Sequence, residues 1–213
     1  MNVSPDKEII LKKIRKALTQ STPIPFPGSE GPGYVFHPAT QEKEIEFAEQ
    51  FTQLTGKFMY CLNEKEAAEN LQALVQMNKW TSIYCPDGKL KAMFPGLPYS
   101  SLDQEALKNC HAAITGCECL IARTGSMMLS SALPGGRTTS VYAPVHICIA
   151  YTSQLVWDIR EGIEFLASKY NGAIPSSISL ATGPSRTADI EKTLVVGIHG
   201  PGETYVFLIE DRN

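Results

Sequence analysis

Val145-His146-Ile147-Cys148-Ile149-Ala150 is a near-continuous apolar run with one polar interruption. A strand with one wet face alternates polar and apolar residues. A run like this reads instead as a strand covered on both faces, the habit of a parallel sheet. Working outward, short apolar or β-rich runs at 57–62, 82–85, 112–115, 118–122, 127–131, 177–180 and 205–209 read as further strands. Helical periodicity separates several of them. Residues 41–54 read as a helix with Phe47, Phe51 and Leu54 inward and Gly56 as its stop. Asn63-x-x-Glu66 is a capping box, opening a helix with Ala67, Leu71, Leu74 and Val75 on one stripe. Residues 155–168 read as a helix with Leu155, Ile159, Ile163 and Leu166 on one side. Strands alternating with helices predict an α/β fold, a mostly parallel sheet with helices on both faces. The crowding of strands between 112 and 131 predicts an antiparallel excursion within it.

The amino terminus is built differently. Ser4-Pro5 followed by Asp6 and Glu8 is a helix start, and Ile10, Ile14, Ala17 and Leu18 form an apolar stripe. Residues 22–38 are rich in proline and glycine and cannot be regular structure. The chain therefore divides into residues 1–38, a tethered amphipathic helix with its linker, and residues 39–213, an α/β domain.

The composition excludes several classes of function. Net charge is −3, with 43% hydrophobic and 19% charged residues, so nothing electrostatic invites nucleic acid. No apolar stretch approaches the roughly 20 residues that span a bilayer, and the polar start is not a secretory signal. The expectation is a cytoplasmic protein with no membrane partner, in which a homo-oligomer is allowed. Six cysteines in such a chain read as reduced, mostly buried thiols. Cys117-Glu118-Cys119 has no CxxC or histidine cluster beside it, so no metal site and no cofactor are expected in this chain.

Chemistry concentrates near the carboxyl terminus. Ala181-Thr182-Gly183-Pro184-Ser185-Arg186-Thr187-Ala188-Asp189-Ile190-Glu191 packs small and hydrogen-bonding residues where a strand is expected to end and a helix to begin. Gly183 permits an unusual turn, Ser185 and Thr187 offer hydroxyls, and Arg186 offers a fork for a carboxylate or phosphate. A helix start would add free N–H groups and a favourable dipole. The same residues also suit plain helix capping, with Asp189 and Glu191 complementing the positive end, and the residues alone leave both readings open. Arg123-Thr124-Gly125-Ser126 is a hairpin turn or a small-residue loop that meets substrate; spacing alone favours the turn. Leu133-Pro134-Gly135-Gly136-Arg137-Thr138 is a flexible loop that could serve as a lid. His199, in a turn beside the opening motif, is the candidate acid/base, and His146 either lines the same edge or is a buried structural histidine.

Four motifs in order, Ile121-Ala122-Arg123-Thr124-Gly125-Ser126, Ala143-Pro144-Val145-His146, Gly183 to Glu191, and Val196-Gly197-Ile198-His199-Gly200-Pro201, resemble the lactate-utilization (LUD) domain family. The resemblance covers roughly residues 40–210. It implies a three-layer fold like that of ribose-phosphate isomerases and CoA transferases. It also implies a part in oxidising L-lactate to pyruvate alongside separately encoded iron–sulfur partner proteins. This chain lacks the cysteine clusters such partners use, so the clusters are expected on the partners. The family usually has Glu where Arg123 stands. The nucleophilic glutamate of CoA transferases is thus missing, a covalent acyl intermediate at this position is excluded, and an anionic ligand is favoured. A second reading is a stand-alone enzyme or binding protein for a small phosphorylated or carboxylated metabolite.

Overall fold

The computed structural model describes residues 5–19, 39, 41–190 and 193–211. The chain divides into two compact units, Met1–His37 and Pro38–Asn213. In the first, helix α1 (Pro5–Leu18) leaves Ile9, Ile10 and Ile14 exposed. Its Ser4 cap and the proline-rich segment lie outside the described residues, as do the side chains of Asp6, Ala17 and Leu18.

The second unit runs α2 (Lys43–Gln53), β1 (Lys57–Cys61), α3 (Glu64–Met77), β2 (Ile83–Tyr84), α4 (Gly88–Met93), α5 (Gln104–Asn109) and β3 (Ala112–Gly116). It continues with β4 (Cys119–Ile121), β5 (Ser126–Ser130), α6 (Thr139–Tyr142), β6 (Val145–Tyr151), β7 (Leu155–Val156) and α7 (Ile159–Lys169). The last strands are β8 (Ile178–Ala181), β9 (Arg186–Ile190), β10 (Thr193–Val196) and β11 (Glu203–Ile209). A five-stranded sheet of order β1-β11-β6-β3-β2 is parallel throughout. The opening hexapeptide lies in its central strand, β6. Val145, Ile147 and Ile149 join a core with α3 and α4, and Cys148 and Ala150 join a second core on the opposite face. Side chains two residues apart share a face, so a strand with cores on both sides has no place for alternation.

That opposite face differs from the expectation. Helices α2, α5 and α6 cover part of it. The remainder meets a second sheet of order β7-β4-β5-β8, in which β4–β5 and β5–β8 are antiparallel and β4–β7 is parallel. The expected antiparallel excursion is therefore a sheet of its own. Leu120, Met127 and Leu129 face the parallel sheet, while Cys119, Ile121 and Met128 pack on α7 beyond it. The mixed sheet adds a layer where it inserts.

Two further differences have local causes. Leu155 is not helical: it pairs with Leu120 in β7, and α7 begins later because the Asp158 carboxylate accepts from Arg160 N at 2.8 Å and Glu161 N at 3.1 Å. The segment after Pro184 is a β-hairpin rather than a helix, with β9 and β10 antiparallel and Val195 opposite Thr187. Thr187, Ile190, Thr193, Val195 and Val196 are β-branched, and that strand preference outweighs the helix-start look of Asp189 and Glu191. Glu191 lies outside the described residues.

Helix α2 is seated on two glycines. Gly125 has φ +59°, and a Cβ there would stand 2.5 Å from Phe51 N; at Gly183, φ is +73° and the added carbon would stand 2.9 Å from Leu54 O. Both positions need a left-handed residue without a side chain. Gly125→Ala should cost at least about 2 kcal/mol, since strain and overlap act together. Urea denaturation would measure it, and an unchanged midpoint would mean that α2 does not depend on this turn.

Candidate functional site

A cavity of about 440 Å³ opens between the end of β5, the segment 136–141, β8 with its following turn, and the turn at 199–201. At its base lie His146 and Thr204, the second residues of β6 and β11, which are paired in register. The cavity thus meets the amino edge of the parallel sheet. It also takes in the carboxyl end of β8, but β9 and not a helix follows Pro184, so the expected helix dipole is missing from the described part of the 183–190 segment.

Backbone bonds shape the wall. Ser185 N donates to Pro201 O at 2.9 Å, Gly197 N donates to Ser185 O at 2.9 Å, and Gly202 N donates to Pro144 O at 2.9 Å. The 183–185 turn is thereby laced to the His-Gly-Pro turn, and that turn to the entrance of β6. Three sequence motifs thus form one rim.

The base and the mouth differ chemically. His146 is fully buried and shares a 2.8 Å bond between Nε2 and the Thr115 hydroxyl. Burial lowers its pKa to about 4, so the imidazole is neutral near pH 7. Thr204 is 1% exposed, and its Oγ1 has no hydrogen-bond partner. A buried hydroxyl left unpaired costs about 1–3 kcal/mol, and native structures seldom carry one without a reason. At the mouth, Arg137 and His199 are exposed, and the Arg137 guanidinium donates to Ser176 Oγ at 2.9 Å.

Behind the wall lies a buried charge. Glu118 is wholly buried; its carboxylate accepts from Lys169 Nζ at 2.7 Å, from the Tyr170 hydroxyl at 2.8 Å and, at short range, from Ser130 Oγ. Burial pushes the Glu118 carboxyl up, but the three donors outweigh it and hold the group below the usual carboxylate range. Ser130 lines the cavity and also accepts from Ala132 N at 3.1 Å, so its hydroxyl is fixed in direction.

Of the residues singled out from sequence, Gly183, Ser185, His146 and His199 line this cavity. Arg123, Thr124, Gly125 and Ser126 do not; they form a tight turn packed on α2, with Arg123 N donating to Trp157 O at 3.0 Å. A hydroxyl chain still links that turn to the wall: Thr124 Oγ1 to Ser126 Oγ at 2.7 Å, then to Thr182 Oγ1 at 2.8 Å. Arg186 turns away as well. It donates to Leu54 O at 2.6 Å and to Thr55 Oγ1 at 2.9 Å, capping the carboxyl end of α2. Thr187 sits on β9 outside the cavity lining, and the side chain of Asp189, on the same strand, lies outside the described residues. The cation the cavity does have is Arg137, read from sequence only as part of a loop. Glu118, Ser130, Thr182 and Thr204 were not singled out; Ser130 and Thr204 carry one signal, a polar residue within a largely apolar strand, whereas Glu118 and Thr182 lie just outside strands.

All six cysteines are buried free thiols, and no group of metal-ligating side chains gathers among the described residues. No helix among them is long and apolar enough to cross a membrane.

A parallel sheet backed by a mixed sheet, with a hydroxyl-rich cavity at its amino edge, defines an α/β domain of one recognisable class. Its fold matches a crystal structure of a DUF162 family protein from Deinococcus radiodurans, with a TM-score of 0.61 and 21% identity, over 81% of this chain and 99% of that one. Residues 100–209 match the LUD domain, and the chain belongs to that family. Over 105 residues it is 39% identical to an uncharacterised protein of Neisseria meningitidis, covering 49% of this chain and 45% of the relative. Proteins called lactate utilization protein C match at 34% in Deinococcus radiodurans, over 54% of this chain and 51% of the relative, and at 36% in Bacillus subtilis, over 48% and 43%. The chain spans about half the length of the curated relatives it matches.

The buried charge predicts a pH effect. Glu118 titrates below its unfolded value, so its stabilisation is full above that value and is lost as pH falls through the folded one. Lys169→Met should cost about 2 kcal/mol at neutral pH, the scale of hydrogen bonds to a charged group, and move acid unfolding to higher pH. Circular dichroism across an acid titration would show it; an unmoved transition would mean that Lys169 does not hold the carboxylate.

Proposed function

We propose that this chain works in lactate utilization, as a cluster-free component of a cytoplasmic system that oxidises L-lactate to pyruvate with separately encoded iron–sulfur proteins. One observation carries the reading. Every residue lining the cavity falls inside 100–209, the stretch that matches the LUD domain. The stretch that matches the LUD domain is therefore the stretch that lines this cavity, and relatives that match about half of the chain bear the lactate-utilization name.

The chemistry follows from the cavity. Arg137 offers a planar fork for a carboxylate, and His199 adds a second donor at the mouth. Deeper in, Thr204 presents an unpartnered hydroxyl to an uncharged oxygen, while Ser130, whose proton goes to Glu118, can only accept. A small anion held this way keeps its charged end outward and its hydroxyl or carbonyl end inward. Conversion of lactate to pyruvate releases two electrons and two protons; iron–sulfur partners would take up the electrons and solvent the protons, and this chain would contribute anion binding. We read the fold as the ribose-phosphate isomerase and CoA-transferase type, but no acyl step belongs here. Arg123 replaces the family's usual glutamate and lies outside the cavity lining. The exposed isoleucines of α1 suit a docking element for a partner protein.

Deletion of the gene should abolish growth on L-lactate as sole carbon source, with recovery on re-expression. Arg137→Gln should weaken binding of a small carboxylate about tenfold, the loss of one charge-assisted contact. Normal lactate oxidation in extracts of the deletion strain would refute the proposal.

A further inference from the structure

The cavity has more room than lactate alone would fill. Lactate has three carbons and three oxygens, and even at about 30 Å³ each, the room a separate water takes in the liquid, it would occupy no more than roughly 180 Å³. The space available is about 440 Å³. Lactate alone would leave more than half of that space to solvent.

The lining indicates what could fill it. Eight of its twenty residues are serine or threonine, and none is aspartate or glutamate. Hydroxyl side chains both donate and accept, which suits a ligand carrying several hydroxyls of its own. The absence of lining carboxylates leaves the positive charge of Arg137 unopposed within the wall. Charge and burial run in opposite directions along the cavity. The exposed mouth carries Arg137 and His199, while the base carries neutral His146 and the unpartnered hydroxyl of Thr204. An anionic group placed at the base would lose its hydration with no cation to compensate, so it belongs at the mouth. An alcohol or carbonyl oxygen at the base would satisfy Thr204.

We infer that the cavity binds a polyhydroxylated anion of about ten to fifteen heavy atoms, its charged group at Arg137 and His199 and its far oxygen at Thr204. This rests on reading the cavity as an anion site. It goes further in naming a sugar-sized ligand, either a sugar phosphate or a sugar acid.

Isothermal titration calorimetry on the full chain with ribose 5-phosphate, ribonate, ribose, inorganic phosphate and L-lactate tests it. One of the first two should bind at least tenfold more tightly than each of the other three, and which one wins separates a phosphate ester from a carboxylate. Thr204→Val keeps the side-chain volume and removes only an unpaired hydroxyl, so the variant should melt no lower than the parent. It should weaken the winning ligand about tenfold and leave inorganic phosphate unchanged. Arg137→Gln should weaken the winning ligand and phosphate but not ribose. A margin over L-lactate below tenfold, no binding of either polyhydroxylated anion, or undiminished affinity in Thr204→Val would overturn the inference. Growth of the deletion strain on L-lactate reads the role in lactate utilization separately, so either idea can fail alone.

Discussion

The carboxyl end of α2 fixes much of this domain. Its last turn lies against bare backbone at Gly125 and Gly183, and its final carbonyl, from Leu54, accepts from the Arg186 guanidinium. Those three contacts come from three separate segments: the turn before β5, the turn after β8, and the first residue of β9. A helix end carries unsatisfied carbonyls and a partial negative charge. A guanidinium placed there satisfies one carbonyl and is itself favoured by the dipole, a contribution of about 0.3–1 kcal/mol for an exposed pair. The steric term is larger. Any side chain at either glycine would push α2 off the mixed sheet and open the core around Phe47 and Phe51, which lie stacked with ring centres 5.5 Å apart. The cavity's rim is therefore set from outside, by a helix that does not line it.

This placement explains why only part of the segment richest in chemical signals lines the cavity. From Gly183 to Ser185 the chain serves the cavity; from Arg186 onward it serves α2 and the hairpin. In sequence the two halves run together as small and polar residues. They separate only when the β-branched residues downstream pull the chain into a strand, reversing the direction in which Arg186 leaves the turn. The central strands were legible because burial on both faces writes itself into composition, as in Val145 to Ala150. The mixed sheet was legible only as crowding between 112 and 131. Its edge strand β7 has two residues, too few to show a period, and β8 is partly exposed, so its pairing to β5 depends on partners far away in sequence.

Glu118 shows a different limit. Between two cysteines in an apolar stretch, nothing local marks it as a buried charge. Taking a lone carboxylate out of water costs several kcal/mol even after relaxation. It is tolerated here because α7 ends with Lys169 and Tyr170 at the right distance, and because Ser130 on the neighbouring strand supplies a third donor. A hydrophobic residue could have filled that space at lower cost. What a carboxylate does that a leucine cannot is fix the hydroxyl of Ser130, a residue of the cavity wall, so the expense is borne next to the site.

The base of the cavity makes the complementary choice. There the protein leaves a hydroxyl unsatisfied and an imidazole neutral, where a charged pair or an apolar plug would each be easier to bury. An unsatisfied group weakens the empty protein and strengthens a complex that satisfies it, so its free energy appears as a difference between bound and free states. That difference discriminates: a ligand ending in a methyl group leaves Thr204 as unpaired as before, whereas one ending in an oxygen does not. The exposed Arg137 at the mouth adds attraction for many anions but little selectivity, because solvent screens it. Selectivity in this cavity therefore resides in its buried neutral groups, and the charge at the mouth sets which way round the ligand enters.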